Sequence, residues 1–237
     1  GIGADGIILM EGSRKADAKM RMFNADGSEG SMAGNALRCM AKYLYDNGIV
    51  RKEEMTLETD KGTKTVRVYT TDGRVTSACV DMGYATLDTT ALRLNIPKRQ
   101  VVNYPVEIAG QPWEITCVDM GNPHCVVFCS RVDGVDVARI GPQFEHAPYF
   151  PDRINTEFIR VVNPSTIKMR VWERGSGETL ACGTGACASV AACYLNGRTG
   201  AQVMVHLRGG DLAVELGEDG CIYMTGPATI VFEGEIN

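Results

Sequence analysis

Two stretches of the chain have apolar residues at helical spacing, and each stretch ends on the dipeptide Asn-Gly. The first begins near Ala33 and ends at Asn47-Gly48, with apolar positions at Leu37, Met40, Ala41 and Leu44. The second begins near Cys182 and ends at Asn196-Gly197. Apolar residues three or four positions apart indicate an amphipathic helix, and Asn or Gly after the last of them is typical of its C-terminus. The pattern predicts one helix in each half of the chain.

Alternating apolar and polar residues follow each predicted helix and indicate strands. The runs are 55–58, 65–69 and 74–81 in the first half, and 202–207, 211–216 and 220–224 in the second. Gly or Asp turns separate them at intervals of roughly eight to twelve residues, which favours an antiparallel sheet or barrel around each helix. The apolar half of residues 1–10 also has the pattern of a strand.

The two halves align without gaps at an offset of 149 residues. Residues 19–23 (KMRMF) fall on 168–172 (KMRVW), Glu29 falls on Glu178, and residues 33–36 fall on 182–185. A repeat of this kind predicts two similar domains. We therefore expect an α+β fold of two pseudo-symmetric domains, each a mostly antiparallel, barrel-like sheet around a central helix, with the active site in the cleft between them. The second domain is expected over residues 84–227.

The repeat also predicts a segment that precedes Gly1. Residues 120–128 precede Asn155 by about thirty residues, whereas the first half begins five residues before Gly6, the counterpart of Asn155. A matching strand and loop of about 30 to 45 residues is therefore expected before Gly1, as the missing N-terminal part of the first domain.

Composition and charge narrow the class of protein. The 237 residues are 44% hydrophobic and 22% charged, which is typical of a soluble globular protein of two domains. Apolar runs stay short of the roughly 18 residues that a membrane span requires. The net charge of -5 and the pI near 5.3 disfavour binding to a phosphate backbone. We expect neither a membrane nor a nucleic acid as partner.

The nine cysteines indicate a reduced, cytoplasmic protein, because their number is odd and neither CxxC pairs nor a secretory leader accompany them. Cys125-x3-Cys129 and Cys182-x4-Cys187 have no matched second pair, and with three His in the chain a metal site is not expected. The sequence has no PLP-binding Lys motif, and the GxGxxG pattern of residues 1–6 is not followed by a helix start. We therefore expect no cofactor.

Candidate chemistry lies where the two helices begin. A helix N-terminus offers unpaired N–H groups and about half a positive charge, so Cys182-Gly183-Thr184-Gly185 is expected to bind a carboxylate and to have a lowered thiol pKa. The glycines are expected to let a substrate approach the backbone, and Glu178 to order the preceding turn. A pseudo-twofold would face the two helix starts, as a two-base racemase requires. The counterpart of Cys182, however, is Ala33.

Six segments resemble the cofactor-independent diaminopimelate epimerases. They are 1–9 (GIGADGIIL), 23–29 (FNADGSE), 34–39 (GNALRC), 120–124 (MGNPH), 155–158 (NTEF) and 173–189 (ERGSGETLACGTGACAS). The resemblance implies an isomerase that inverts one α-carbon of diaminopimelate, from the L,L to the meso form, in lysine and peptidoglycan-precursor biosynthesis. It also implies a homodimer, independence of PLP, and a C-terminal strand that returns to the first domain, which would then comprise residues 1–83 and 228–237.

The resemblance further implies the roles of individual residues. One catalytic thiol is Cys182, and the other falls at position 33. The reacting carboxylate would lie between the amides of Gly34-Asn35 and those of Gly183-Thr184. The far end of the substrate would be bound by Asn24, Asn155, Glu173 and Arg174, with Asn122 close by and His124 and Glu178 in support.

Two departures from the family change the expected activity. Gly6 stands where the family often has Gln. Ala33 removes one proton donor, so epimerisation is expected to fall by roughly 10² to 10⁴ or more. Ala33 is explained either by a deliberate Cys→Ala change, or by a naturally degenerate enzyme or one with a different role.

Two other functions stay open. One is a proline or hydroxyproline racemase of related fold, although the pair Glu173-Arg174 and the Asn set favour an acyclic substrate with a second amino-acid end. The other is a non-catalytic amino-acid-binding protein that uses the same cleft.

Overall fold

The computed structural model describes residues 3–4, 6–24, 27–30 and 33–235. The chain divides into two compact units, Gly1–Asp81 with Thr225–Asn237, and Met82–Met224. These boundaries lie two residues before position 83 and three residues before position 227, where the sequence suggested them. The α+β fold of two units is confirmed.

The first unit is a sheet with one helix. Its strand order is β1-β2-β4-β5-β6, and β3 pairs with the free part of β2. The strands are β1 (Gly6–Glu11), β2 (Ala18–Asn24), β3 (Glu29–Gly30), β4 (Glu54–Thr59), β5 (Gly62–Thr71) and β6 (Arg74–Tyr84). The pairs are antiparallel except for β2 and β4, which run parallel. The three strands expected after the first helix are confirmed, each somewhat longer than expected.

The helix of the first unit, α1 (Gly34–Asp46), packs against β5. Its four apolar positions are at most 4% exposed, so the helical spacing in the sequence is its buried face: Leu37, Met40, Ala41 and Leu44. The side chain of Asn47 donates to the Tyr43 carbonyl at 2.8 Å, and Gly48 takes the positive φ of 67° that a helix C-terminus favours.

The second unit has the strand order β15-β14-β13-β11-β10-β9-β8-β7, with β12 on β11. Two neighbouring pairs, β9 with β10 and β11 with β13, run parallel, and most of the others run antiparallel. The strands are β7 (Tyr104–Ile108), β8 (Gln111–Asp119), β9 (Pro123–Phe128), β10 (Asn155–Asn163), β11 (Thr166–Glu173), β12 (Gly177–Thr179), β13 (Gln202–Leu207), β14 (Gly210–Leu216) and β15 (Cys221–Pro227).

The second predicted helix is α3 (Gly183–Leu195), which is buried on nearly all sides and contacts β8, β9, β10 and β14. Its residues from Gly185 to Cys193 are small or medium in size, so strands approach it closely all around. The bounds of α1 and α3 differ by the same offset of 149 residues as the sequence repeat.

The helix α2 (Val137–Glu145) was not expected from the sequence. It spans nine residues and contains Gly141 and Pro142, which are poor helix formers, so its sequence signal is weak. Asp136 caps its N-terminus by accepting from the Arg139 N–H at 3.2 Å. Its buried face joins an apolar core in which Phe144 meets Phe158 edge to face.

The repeat extends to one ion pair in each unit. Arg21 binds both carboxylate oxygens of Glu29, at 2.7 and 3.2 Å, and Arg170 binds both oxygens of Glu178, at 2.8 and 3.1 Å. Each pair joins the strand before the turn to the short strand after it. Glu178, which was expected to order this turn, binds Arg170 across it and accepts a further bond from Arg208 at 2.9 Å.

The two ion pairs differ in burial, which predicts different effects on stability. The side chains of Arg170 and Glu178 are 16% and 17% exposed, against 35% and 38% for Arg21 and Glu29. Arg170→Ala is expected to lower the free energy of unfolding by about 1–3 kcal/mol, because it also removes a 2.7 Å bond to the Val135 carbonyl. Arg21→Ala is expected to cost less. Urea unfolding measures both, and equal losses would contradict this reading.

Candidate active site

Cys182 lies at the N-cap of α3, where extended backbone turns into helix. Its Sγ accepts from the Gly185 N–H at 3.4 Å and lies 3.6 Å from the Thr184 hydroxyl. The residue is 7% exposed. A thiol at this position replaces the Ser or Asp oxygen that ordinarily caps a helix, and it also lies next to the N–H groups of the first turn.

The pKa of the Cys182 thiol is raised well above its usual range, chiefly by burial and then by the negative charges of Glu173 and Glu157. The contacts with Thr184 and the Gly185 N–H lower it by less. The expectation of a lowered pKa was therefore wrong, because loss of solvation and two carboxylates outweigh the helix N-terminus. The thiol is held in its protonated form.

Glu173, the last residue of β11, lies beside this thiol. Its carboxylate accepts a short hydrogen bond from the Thr179 hydroxyl and interacts with the Cys182 side chain. Burial is the largest influence on the pKa of Glu173 and raises it. A carboxyl group with a raised pKa next to a thiol can accept the thiol proton more readily than an ordinary glutamate.

A second buried carboxylate, Glu157 on β10, leads away from the thiol through a chain of polar side chains. Its Oε1 lies 2.7 Å from Nδ1 of His124, and Nε2 of His124 lies 3.0 Å from Oδ1 of Asn122. The Asn122 amide donates to the Thr184 hydroxyl at 3.3 Å, which returns the chain to α3. Glu157 and His124 are 0% exposed. Within the described part of the chain, Oε2 of Glu157 has no hydrogen-bond partner.

Gly185 gives the Glu157 carboxylate its place. A Cβ added at Gly185 would lie 2.5 Å from Oε1 of Glu157 and 3.2 Å from Sγ of Cys182. The space that a side chain at position 185 would need is thus taken by a carboxylate of the protein itself, and the approach of a substrate to this backbone stays a prediction. Because Gly185 has no side chain, Glu157 of β10 can lie against the first turn of α3.

Asn155 and Arg174 meet through the backbone. The Asn155 amide donates to the Pro123 carbonyl at 2.8 Å, and its oxygen accepts from the Arg174 N–H at 2.9 Å. Asn155 is 5% exposed. It begins β10, and its two bonds link this strand to the start of β9 and to the residue after β11. The exposed Arg174 guanidinium donates to the Asp152 carbonyl at 3.2 Å.

In the first unit, Ala33 is the N-cap of α1. Its φ of -138° and ψ of 124° are close to the -130° and 112° of Cys182, but its side chain caps nothing. Asn35 accepts from Arg38 at 2.9 Å, and Gly34 is buried. Asn24 donates to the Ser28 hydroxyl at 3.0 Å across its turn. Residues 1, 2, 5, 25 and 26 of the quoted motifs lie outside the described residues.

Two site residues were missed by the sequence reading, Glu157 and Thr179. Glu157 had a signal, because it is a charged residue within an apolar strand, at a position where the neighbours Thr156 and Phe158 are also fully buried. A lone charge in such a strand indicates a paired or functional group. Thr179 follows the Gly-rich turn and had no comparable signal.

The described ranges show little that would favour another kind of site. They hold no group of three or more His, Cys, Asp or Glu that could bind a metal ion, and no helix long and apolar enough to cross a membrane. A cavity of about 650 Å³ in the second unit is lined by Trp113, Phe128, Arg131, Arg160 and Arg198, among others, and by none of the expected site residues.

Comparison with known proteins gives a consistent result. A sequence model of the diaminopimelate epimerase family matches residues 1–87 and 116–231. The diaminopimelate epimerase of Desulfovibrio desulfuricans is 50% identical over 242 residues, which cover 99% of this chain and 84% of that protein. That of Acetivibrio thermocellus is 49% identical over 238 residues, covering 100% and 85%.

A solved structure with the same fold is that of a probable proline racemase from Agrobacterium radiobacter. It superposes with a TM-score of 0.72 at 16% identity, covering 98% of this chain and 76% of that chain. At this identity the likeness concerns the fold alone.

Gly185→Ala tests the close approach of Glu157. The added methyl group is expected to displace the carboxylate from His124 and to lower the free energy of unfolding by about 1–3 kcal/mol. Gly200→Ala is the control, since its nearest non-neighbouring atom lies at 3.9 Å. Urea unfolding of both variants is the measurement, and a loss no larger at position 185 than at position 200 would show that the carboxylate moves without cost.

Glu173→Gln tests the cause of the raised thiol pKa. A negative charge beside a thiol raises its pKa, so removal of that charge is expected to lower the pKa of Cys182. Because the thiolate is the reactive form, alkylation of the Cys182 peptide by iodoacetamide, followed by mass spectrometry, should reach half its maximal rate at a lower pH. Exposed Glu114→Gln is the control, and an unchanged pH profile in Glu173→Gln would contradict the assignment.

Proposed function

Because this chain belongs to the diaminopimelate epimerase family, we propose that it inverts one α-carbon of diaminopimelate, between the L,L and meso forms, by proton transfer at that carbon. The observation that carries the proposal is the buried Cys182 thiol at a helix start with the Glu173 carboxyl beside it. A thiol and a carboxyl together can remove a proton from carbon and return it.

The proton steps follow from the order of the groups. Glu173 first takes the thiol proton, which leaves a thiolate on Cys182. The thiolate then takes the α-proton, and the electron pair of the broken C–H bond moves toward the adjacent carboxylate of the substrate. In the reverse direction the protonated thiol donates to the carbon. The raised pKa of Cys182 suits this donation, because the thiol is then protonated, and a carbanion is a strong enough base to take its proton.

The negative charge that develops on the substrate carboxylate needs stabilisation. In this proposal it is bound by the free first-turn amides of Gly183 and Thr184 and by the helix dipole behind them. Gly185 and Ala186 already donate to Sγ and the carbonyl of Cys182, so they hold the turn in place. With charge stabilised by amides and water excluded by burial, the proposed reaction requires no PLP.

The second proton donor is assigned to position 33. Ala33 has the backbone conformation of Cys182 at the start of its own helix, so a Cys at this position would present its thiol at a helix N-cap. Gly34 and Asn35 would supply amides in the same way as Gly183 and Thr184. With Ala at position 33 the chain has one proton-transfer group, and epimerisation is expected to be severely impaired.

The remaining residues are assigned to binding and support. Asn24, Asn122, Asn155 and Arg174 are proposed to bind the far amino-acid end, where Arg174 suits a carboxylate. Glu173, which the resemblance assigns to the same end, contacts Cys182 and is proposed to act on the thiol instead. His124 supports the site between Asn122 and Glu157. A homodimer, a cytoplasmic location and a role in lysine biosynthesis are further proposals that rest on the family resemblance.

A second candidate function is favoured by one observation, the absence of a thiol at position 33. A chain that binds an amino acid but cannot invert it would be a binding protein with the same site. Binding without exchange of the α-proton would identify this function.

The epimerase proposal is tested by placing a second thiol at position 33. The chain with Ala33 and its Ala33→Cys variant are incubated with L,L- and with meso-diaminopimelate, and the ratio of stereoisomers is followed with time. Epimerisation is expected to rise by roughly 10² to 10⁴ in the Ala33→Cys variant. The double variant Ala33→Cys/Cys182→Ser is the control and should lose that gain. A folded Ala33→Cys variant without epimerase activity would overturn the proposal.

A further inference from the structure

The last residue of α2, Glu145, is a buried carboxylate that binds the turn after β11. Its Oε2 accepts from the Trp172 indole N–H at 2.7 Å, and its Oε1 accepts from the Gly175 N–H at 3.0 Å and from Arg153 at 3.2 Å. Glu145 is 4% exposed. One carboxylate thus binds the residue before Glu173-Arg174 and the residue after it.

The same face of α2 also receives the Trp172 ring. A Cβ on Gly141, one helical turn before Glu145, would lie 2.4–2.6 Å from atoms of that ring. The far end of the ring approaches Gly177, where an added Cβ would lie 3.6 Å from Cη2 of Trp172. Gly141 and Glu145 therefore fix both the plane of the indole and the direction of its N–H.

Backbone hydrogen bonds fix the conformation of the turn that contains Glu173 and Arg174. The Ser176 N–H donates to the Glu173 carbonyl at 3.0 Å, and Gly175 takes a φ of 78°. Asn155 accepts from the Arg174 N–H. The backbone is thus bound at residues 174 and 175, and the Glu173 side chain continues toward Thr179 and Cys182.

We propose that Glu145 is a positioning residue that holds the Trp172–Gly175 turn so that Glu173 and Arg174 meet the substrate and the thiol. Its carboxylate binds Trp172 and Gly175, so it acts through the turn. The inference rests on the proposed function for the identity of the substrate.

The three donors explain why this position needs a carboxylate. A carboxylate accepts on both oxygens, whereas a glutamine amide accepts on one and presents N–H groups on the other side. In Glu145→Gln, the amide oxygen can satisfy Arg153 and Gly175, and the NH₂ group then faces the Trp172 N–H. The variant keeps the size of the side chain and loses one specific bond.

The first measurement is the indole N–H signal in ¹⁵N-labelled protein. The chain has two Trp residues, Trp113 and Trp172, and a Trp113→Phe variant assigns the two signals. Loss of a short hydrogen bond to a carboxylate is expected to move the Trp172 indole proton upfield in Glu145→Gln and to leave the Trp113 signal in place. Asp136→Ala is the control, because it weakens α2 at its other end. An unchanged Trp172 signal would show that the indole N–H does not bind Glu145.

The second measurement is binding of meso-diaminopimelate by titration calorimetry, which needs no turnover. Glu145→Gln is expected to raise Kd by about tenfold to a hundredfold, since a misplaced turn misplaces both substrate-facing residues. Gly141→Ala should raise Kd as well, because it displaces Trp172 without altering Glu145, and Asp136→Ala should leave Kd unchanged.

The outcomes separate the two proposals. If the unaltered chain binds diaminopimelate and Glu145→Gln binds it equally well, Glu145 does not position the turn, and the inference is wrong. If Asp136→Ala weakens binding as much as Glu145→Gln does, the effect is one of helix stability, and the inference is also wrong. If the unaltered chain does not bind diaminopimelate, the proposed function fails, while the indole measurement still decides the contact.

Discussion

The candidate site depends on the burial of ionisable side chains at one end of the second unit. Cys182, Glu157 and His124 are buried, Glu173 is half-buried beside them, and burial raises the pKa of Cys182 and of Glu173. His124 joins Asn122 to the Glu157 carboxylate, while Oε2 of Glu157 has no hydrogen-bond partner within the described residues. Protons are therefore held by the thiol, and its neighbouring carboxyl has a raised affinity for them.

Glycines allow side chains from neighbouring elements to pack closely against the helices near the site. Gly185 admits the Glu157 carboxylate to the first turn of α3, and Gly141 admits the Trp172 ring to α2. The first unit repeats the frame of strand, turn and helix, with the same backbone conformation at its helix start. At the offset of 149 residues, however, the counterparts of Glu157, Glu173 and Gly185 are Ile8, Asn24 and Ala36. The duplication thus preserved the backbone of the site and not its buried acids.

The sequence predicted those parts of the fold that have a strong local signal or a repeat. The bounds of α1 and α3 follow from apolar spacing and Asn-Gly ends, and the resemblance of the quoted motifs identified the family. The helix α2 was missed because Gly141 and Pro142 weaken its pattern, although both fit their places in the structure. The sign of the Cys182 pKa shift was wrong because the sequence shows the helix start but not which acids lie behind it. The role of Glu145 could not be predicted, since its donors Trp172 and Gly175 are 27 and 30 residues away in sequence.

The central claim is that Cys182 with Glu173 forms one complete proton-transfer group in a chain that has Ala at position 33. The most direct test is exchange of the α-hydrogen in D₂O, measured separately for L,L- and for meso-diaminopimelate by mass spectrometry and NMR. The account predicts that one stereochemical form of the α-carbon gains deuterium with its configuration retained, and that Cys182→Ser abolishes this exchange. Deuterium uptake with inversion, or uptake that persists without the Cys182 thiol, would contradict it.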